Sequence, residues 1–135
     1  MFKFIFTKEN FWAYENEYKL PQSTIEVCEI IEEIRSDNEI KAAVHPSLST
    51  YIRQYDASIG LVYGRYPSGS SATELYNLLN ADVLNTDRIT ELIVNNQVDI
   101  LVYYKNNEVD GDFLEKGFEY GGETSDYLIL KYMEK

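Results

Sequence analysis

Cysteine and histidine are nearly missing from this chain, which has one of each, Cys28 and His45, among 135 residues. A single thiol excludes an internal disulfide and points to a reducing compartment. One thiol and one imidazole cannot supply the nitrogen and sulfur ligands of a zinc centre. The carboxylates could ligate magnesium or calcium, but the chain carries no calcium-loop pattern, so neither a metal nor a cofactor is expected. Long apolar runs are missing too, and none approaches the roughly 20 residues that span a bilayer. The opening MFKFIFTKEN is apolar but short, and lacks the small-residue cleavage site of a secretory signal. These absences predict a cytoplasmic protein with no membrane association. Basic residues are scarce, 12 against 23 acids, for a net charge of -11. Such a surface repels phosphate backbones, which argues against direct nucleic-acid binding.

What is present describes an ordinary soluble domain. Hydrophobic residues make up 44% and charged residues 26%, so the chain can build a core and one domain is expected over 1–135. The acids are unevenly spread: Glu108, Asp110, Asp112, Glu115, Glu119, Glu123 and Asp126 share the stretch 106–126 with one base, Lys116. One reading is a solvated rim that keeps the protein in solution. The other is a partner-binding surface, formed by Glu108, Asp110, Asp112, Glu115 and Glu119, that docks on a basic protein or imitates nucleic acid. Tyrosine is abundant, with 12 copies, and suits interfaces because its ring buries area while its hydroxyl stays hydrogen-bonded.

Periodicity divides the chain into alternating elements. Phe2, Phe4 and Phe6 alternate with Lys3 and Ile5, as in a half-buried strand. A helix is expected from Ser23, where Ser-x-x-Glu to Glu26 makes a capping box and Val27, Ile30, Ile31 and Ile34 form one apolar stripe. Residues 40–44 read as a buried strand, and Pro46 opens a helix carrying Leu48, Tyr51, Ile52 and Tyr55. A strand over 59–63 precedes a helix with Leu75, Leu78 and Leu79. A further helix, capped by Asn85 or Thr86, turns Ile89, Leu92 and Ile93 inward. The nearly all-apolar 99–104, DILVYY, fits a strand covered on both faces, and 127–132 fits a last strand. Strands alternating with helices predict an α/β fold with a mainly parallel sheet and helices on both faces.

The stretch YPSGSSATEL at 66–75 carries the most specific chemical signal. Gly69 can adopt backbone angles closed to other residues. Ser68, Ser70, Ser71 and Thr73 supply hydroxyls, Arg65 one positive charge, and the helix start free N–H groups. Together they are candidate ligands for a phosphate or carboxylate. The simpler reading is that Ser71-x-x-Glu74 is only a capping box after a serine-rich turn.

Around this loop the chain resembles the methylglyoxal synthase-like domains. Ser68-Gly69-Ser70-Ser71-Ala72 matches the family's phosphate loop with serine in place of threonine. ELIVNNQVDILVYY is similar to its helix, turn and strand, and AAVHPSLSTYI to its first strand and helix, where the synthases place a histidine at the position of His45. The likeness covers about 40–130 and leaves 1–35 aside. It implies a three-layer α/β architecture, a phosphorylated ligand, and assembly into a homo-oligomer through helices that flank the sheet. It also implies a catalytic aspartate near the start of the helix that carries Ile89, and there Thr86 stands at the matching position with Asp87 one step away. One residue of displacement turns a side chain by about 100° on a helix, which argues that catalysis is lost. Asn106 stands where a second acid is expected, while Asp110 and Asp112 match a later pair. A weaker likeness links NEVDGDFLEKGFEY to the Asn…Phe-Tyr-Glu-Lys-x-Gly-Phe region of acetyltransferases, with Leu114 in the tyrosine position.

Three readings stand side by side. The first is a binding module that senses or sequesters a phosphorylated small molecule or nucleotide. The second is an acidic interaction protein, such as an inhibitor, immunity factor or nucleic-acid mimic. The third is an enzyme, a lyase of phosphate esters with Asp87, Asp110, Asp112 or His45 as acid–base groups, or an acetyltransferase.

Overall fold

The computed structural model describes residues 22–35, 39–56, 58–63 and 69–133. The strand expected over 2–6 lies outside them, as do Arg65 and Ser68 of the serine-glycine loop. Helix α1 (Gln22–Arg35) buries Val27 and Ile31 of the expected stripe together with Ile25 and Cys28, while Ile30 and Ile34 are half-buried against the same core. It begins at Gln22, so Ser23 falls within the first turn and does not cap it. Strand β1 (Lys41–Val44) leads into α2 (Pro46–Tyr55), with Pro46 in the first turn where its missing N–H costs nothing. Strand β2 (Gly60–Leu61) is only two residues long, and α3 (Ser70–Leu79) follows the loop. Then come β3 (Val83–Leu84), α4 (Thr86–Asn95) and β4 (Ile100–Tyr104). The chain closes through β5 (Glu108–Val109), a one-turn 3-10 helix (Phe113–Lys116), β6 (Phe118–Glu123) and β7 (Tyr127–Tyr132).

Five strands form one sheet in the order β2-β1-β4-β7-β6, and β3 pairs with β5 in a separate two-stranded ribbon. β1 runs parallel to β2 and to β4, whereas β7 runs antiparallel to both β4 and β6. The sheet is therefore mixed, which corrects the expectation of a mainly parallel one. The cause is FEYGGE at 118–123, whose paired glycines and acids hide a strand. Only 124–126 separates it from β7, and so short a link can join only antiparallel neighbours.

Alternation along the central strands divides the core in two. Ala42, Val44, Ile100, Val102 and Ile129 pack with α1 and α2 on one face. Ala43, Leu101, Tyr103 and Leu130 pack with α3, α4, Phe113 and Phe118 on the other. Two helices thus cover each face of an α/β domain. Among the described residues no helix is long and apolar enough to cross a membrane.

The glycines of β6 set how closely α1 approaches. A Cβ on Gly122, whose φ is +157°, would lie 2.9 Å from Ile30 Cγ2, and one on Gly121 would lie 3.0 Å from Ile34 Cδ1. Ile30 and Ile34 occupy the space that those side chains would need.

Candidate functional site

From β1 the chain crosses to β2 on one side and returns to β4 on the other, so the direction of winding reverses between the carboxyl ends of β1 and β4. Open α/β sheets bind ligands at such reversals, because the connecting loops part there and leave a crevice. His45 follows β1 directly and is anchored by its own N–H to the Val102 carbonyl, 2.9 Å away on β4.

The His45 side chain caps α2. Its Nδ1 accepts the backbone N–H of Ser47 at 3.1 Å. A backbone N–H can only donate, so Nδ1 is unprotonated and the ring proton sits on Nε2. Burial also lowers the imidazole pKa from 6.5, favouring the same neutral form. Ser47 Oγ lies 2.8 Å from Nδ1, 3.0 Å from the Tyr127 hydroxyl and 3.4 Å from the Tyr104 hydroxyl. The Tyr104 ring packs 4.2 Å from that of His45 and stacks on Tyr127 at 5.0 Å with 17° between planes. Burial, foremost, pushes the Tyr127 phenol up to about 12, so it stays protonated at neutral pH. The result is a set of neutral hydroxyl and imidazole groups at the mouth of the β1–β4 reversal. Tyr104 is exposed there.

The described start of α3, from Gly69 onward, lies at a different edge. Gly69 caps α3 with φ +90°, and nothing lies within 4 Å of where its side chain would be. Among the described residues no side chain caps the helix start. Thr73 turns its hydroxyl back to the Gly69 carbonyl at 2.8 Å. Ser71 Oγ accepts Asn96 Nδ2 at 2.8 Å, and the Asn96 carbonyl accepts Lys41 Nζ at 2.9 Å at the beginning of β1. These bonds tie the N-terminus of α3 to the amino edge of the sheet, antiparallel to α4. Gly69, Ser70, Ser71 and Thr73 therefore share one helix start, and His45 stands at the opposite edge.

The acids of the sequence cluster around α4. Asp110 Oδ1 accepts the N–H and the hydroxyl of Thr86, both at 2.9 Å, and these bonds hold its carboxyl below the usual range. Asp87 pairs with Lys116 Nζ at 2.6 Å. Asp112 Oδ1 accepts Leu114 N–H at 2.9 Å and caps the 3-10 turn. Asp87 and Asp110 are thus brought together at the start of α4, with no contact to His45 among the described residues. Glu108, Asp110, Asp112, Glu115 and Glu119 are all exposed, and Glu119 turns to Lys131 on the face of β6 opposite Phe118 and Tyr120.

Ser47, Tyr104 and Tyr127 are the members of the carboxyl-edge cluster that sequence reasoning missed. The available signal was the serine two places after His45 and the tyrosine ending DILVYY, neither of which marks a site until the strands are paired. Compared with family models, curated proteins and solved structures, the chain finds no match in any of the three.

Proposed function

We propose that this chain is a small-ligand-binding α/β protein that senses or sequesters a nucleotide or related phosphorylated molecule at the β1–β4 reversal. The observation that carries this reading is the hydrogen-bonded run His45–Ser47–Tyr127 beside the exposed Tyr104, placed where the winding direction changes. With Nδ1 committed to the helix cap, Nε2–H is left as a donor, and it has no partner among the described residues. It can meet a carbonyl, ring nitrogen or phosphate oxygen, while the tyrosine rings offer a flat apolar flank for a base. The likeness to methylglyoxal synthase-like domains enters only as the expectation that the ligand is a phosphate ester. Binding without turnover fits the placement of Asp87, Asp110 and Asp112, each engaged in a cap or ion pair. A general base must come within hydrogen-bonding reach of the proton it removes.

The test is thermal shift with a panel of nucleosides, nucleotides and triose phosphates, since selective binding to the native state adds RT ln(1 + [L]/Kd). Stabilisation by a panel member in wild type, lost in Tyr104→Ala and His45→Asn, supports the site. Stabilisation that survives both variants removes the carboxyl edge from the reading. Release of inorganic phosphate from dihydroxyacetone phosphate would establish the lyase instead.

A further inference from the structure

On the face away from His45, the 3-10 turn Phe113–Lys116 packs on β6, with the Phe113 ring 5.3 Å from that of Phe118. Between that turn and the sheet a cleft of about 160 Å3 opens, lined by Tyr103, Val109, Phe113, Leu114, Tyr120 and Leu128 among others. Its floor is buried, with Tyr103, Phe113 and Leu130 each nearly inaccessible. Its rim is not: Leu114 is 55% exposed, Tyr120 53% and Val109 38%. Large apolar side chains gathered at an opening are a marker of a binding surface.

Charge identifies what would occupy it. Asp112 lines the cleft, and Glu108 and Glu115 are the exposed chain neighbours of its lining residues Val109 and Leu114; none of the three forms an ion pair among the described residues. The nearest cation in this stretch, Lys116, is already bound to Asp87. The opening is therefore apolar inside, with Asp112 at its edge and further unpaired acids beside it in the chain. An apolar void of about 150 Å3 holds one benzene-sized group, so the cleft has room for a single large side chain. We infer that this cleft is a docking site for a basic protein segment that inserts one aromatic or leucine side chain between Leu114 and Tyr120 and sets flanking lysines or arginines against Glu108, Asp112 and Glu115. A central apolar anchor within a charged rim divides the work in the usual way: the anchor supplies affinity, the rim steering and selectivity. Tyr120 is held at the cleft by its hydroxyl, which donates to Glu123 Oε1 at 3.1 Å, a carboxylate already paired with Lys105.

The inference is tested with a display library of short random peptides panned against the immobilised full chain, followed by Kd measurements on the enriched sequences. Enrichment of peptides with one Phe, Trp or Leu flanked by Lys or Arg is expected. Replacing that anchor by alanine should weaken binding by about tenfold or more. Leu114→Glu should abolish binding with an unchanged thermal midpoint, because Leu114 is exposed. Glu108→Lys combined with Glu115→Lys should weaken it, as should raising ionic strength from about 0.1 M to about 1 M, where screening shortens to about 3 Å. Failure to enrich any peptide, enrichment of acidic or anchorless peptides, or binding that survives Leu114→Glu would overturn the proposal. Self-association lost in Leu114→Glu would overturn it in favour of a second copy of this chain. A ligand shift lost in Tyr104→Ala leaves this test untouched, because the two surfaces lie on opposite faces of the sheet.

Discussion

Tyr103 and Tyr104 are consecutive on β4 and serve opposite faces of the sheet. The Tyr103 ring packs 5.5 Å from Phe113 at the floor of the acidic cleft, and the Tyr104 ring lies 4.2 Å from His45 at the carboxyl-edge cluster. The pleat of one strand therefore separates the two candidate surfaces, and each can be altered without the other.

His45 has two separable tasks. As N-cap of α2 it accepts Ser47 N–H, and loss of such a cap costs about 1 kcal/mol. His45→Ala should therefore lower the melting temperature by about 3–5 °C. Asparagine is a good N-cap, so His45→Asn should restore most of that loss while still removing the Nε2–H donor. Calorimetry of both variants, with and without a stabilising nucleotide, separates cap from site. Equal melting temperatures for the two variants would count against the cap.

Acid should weaken the fold in two stages. Folding lowers the pKa of His45 from 6.5, so the native state binds its proton less readily than the unfolded chain. The stability from neutral His45 is complete above 6.5 and falls away as pH drops through the lower folded value. Folding also lowers the carboxyls of Asp110, Glu74 and Glu123, whose contributions are lost only at more acidic pH. Chemical denaturation across pH should show both limbs in wild type. In His45→Asn the limb just below 6.5 should disappear.

Asp110 joins β5 to α4 through two bonds to Thr86. Asp110→Ala leaves the buried Thr86 hydroxyl and its N–H without an acceptor, and should lower the melting temperature clearly. Asp87→Asn weakens only an exposed ion pair with Lys116 and should have a small effect. The reverse ranking would show that Asp110 is not the structural acid.

The glycines of β6 give a steric prediction. In Gly122→Ala the new methyl meets Ile30 within 2.9 Å, forcing α1 away from the sheet or bending the strand. Overpacking of this kind costs roughly 1–3 kcal/mol. Trimming the partner in the double variant Gly122→Ala with Ile30→Val should recover part of it, read from urea unfolding midpoints. Without recovery the cost lies in the backbone, not in this contact.

Gly69 offers the converse case. Its surroundings are open, so Gly69→Ala meets no neighbour, yet φ +90° is strained for any residue with a Cβ. A loss of roughly 1–3 kcal/mol, with unchanged ligand response, is expected in urea unfolding. A ligand shift that disappears with Gly69→Ala would return the start of α3 to the binding site.

Much of the fold is legible along the chain because short-range rules govern it. The stripe of α1, Pro46 at the start of α2, Asn85 capping α4 by accepting Arg88 N–H at 3.1 Å, and β7 at 127–132 all follow from periodicity and capping. β6 was hidden because glycines and acids dominate its sequence, and β3 and β5 are too short to leave a pattern. The site was less legible. His45 stands out as the single histidine, but Ser47, Tyr104 and Tyr127 come together from residues 57 and 80 positions apart along the chain.

By itself the sequence determined the negative surface, the alternation of helices and strands, and which stripes turn inward, because composition, helical spacing and turn chemistry act over a few residues. Tertiary structure alone decided that the sheet is mixed and that the serine-glycine helix start faces the amino edge. It also decided that an apolar cleft opens beside Asp112, between Leu114 and Tyr120. Those outcomes depend on which strands pair and which way each helix runs, and both are set by burying two faces of one sheet at once.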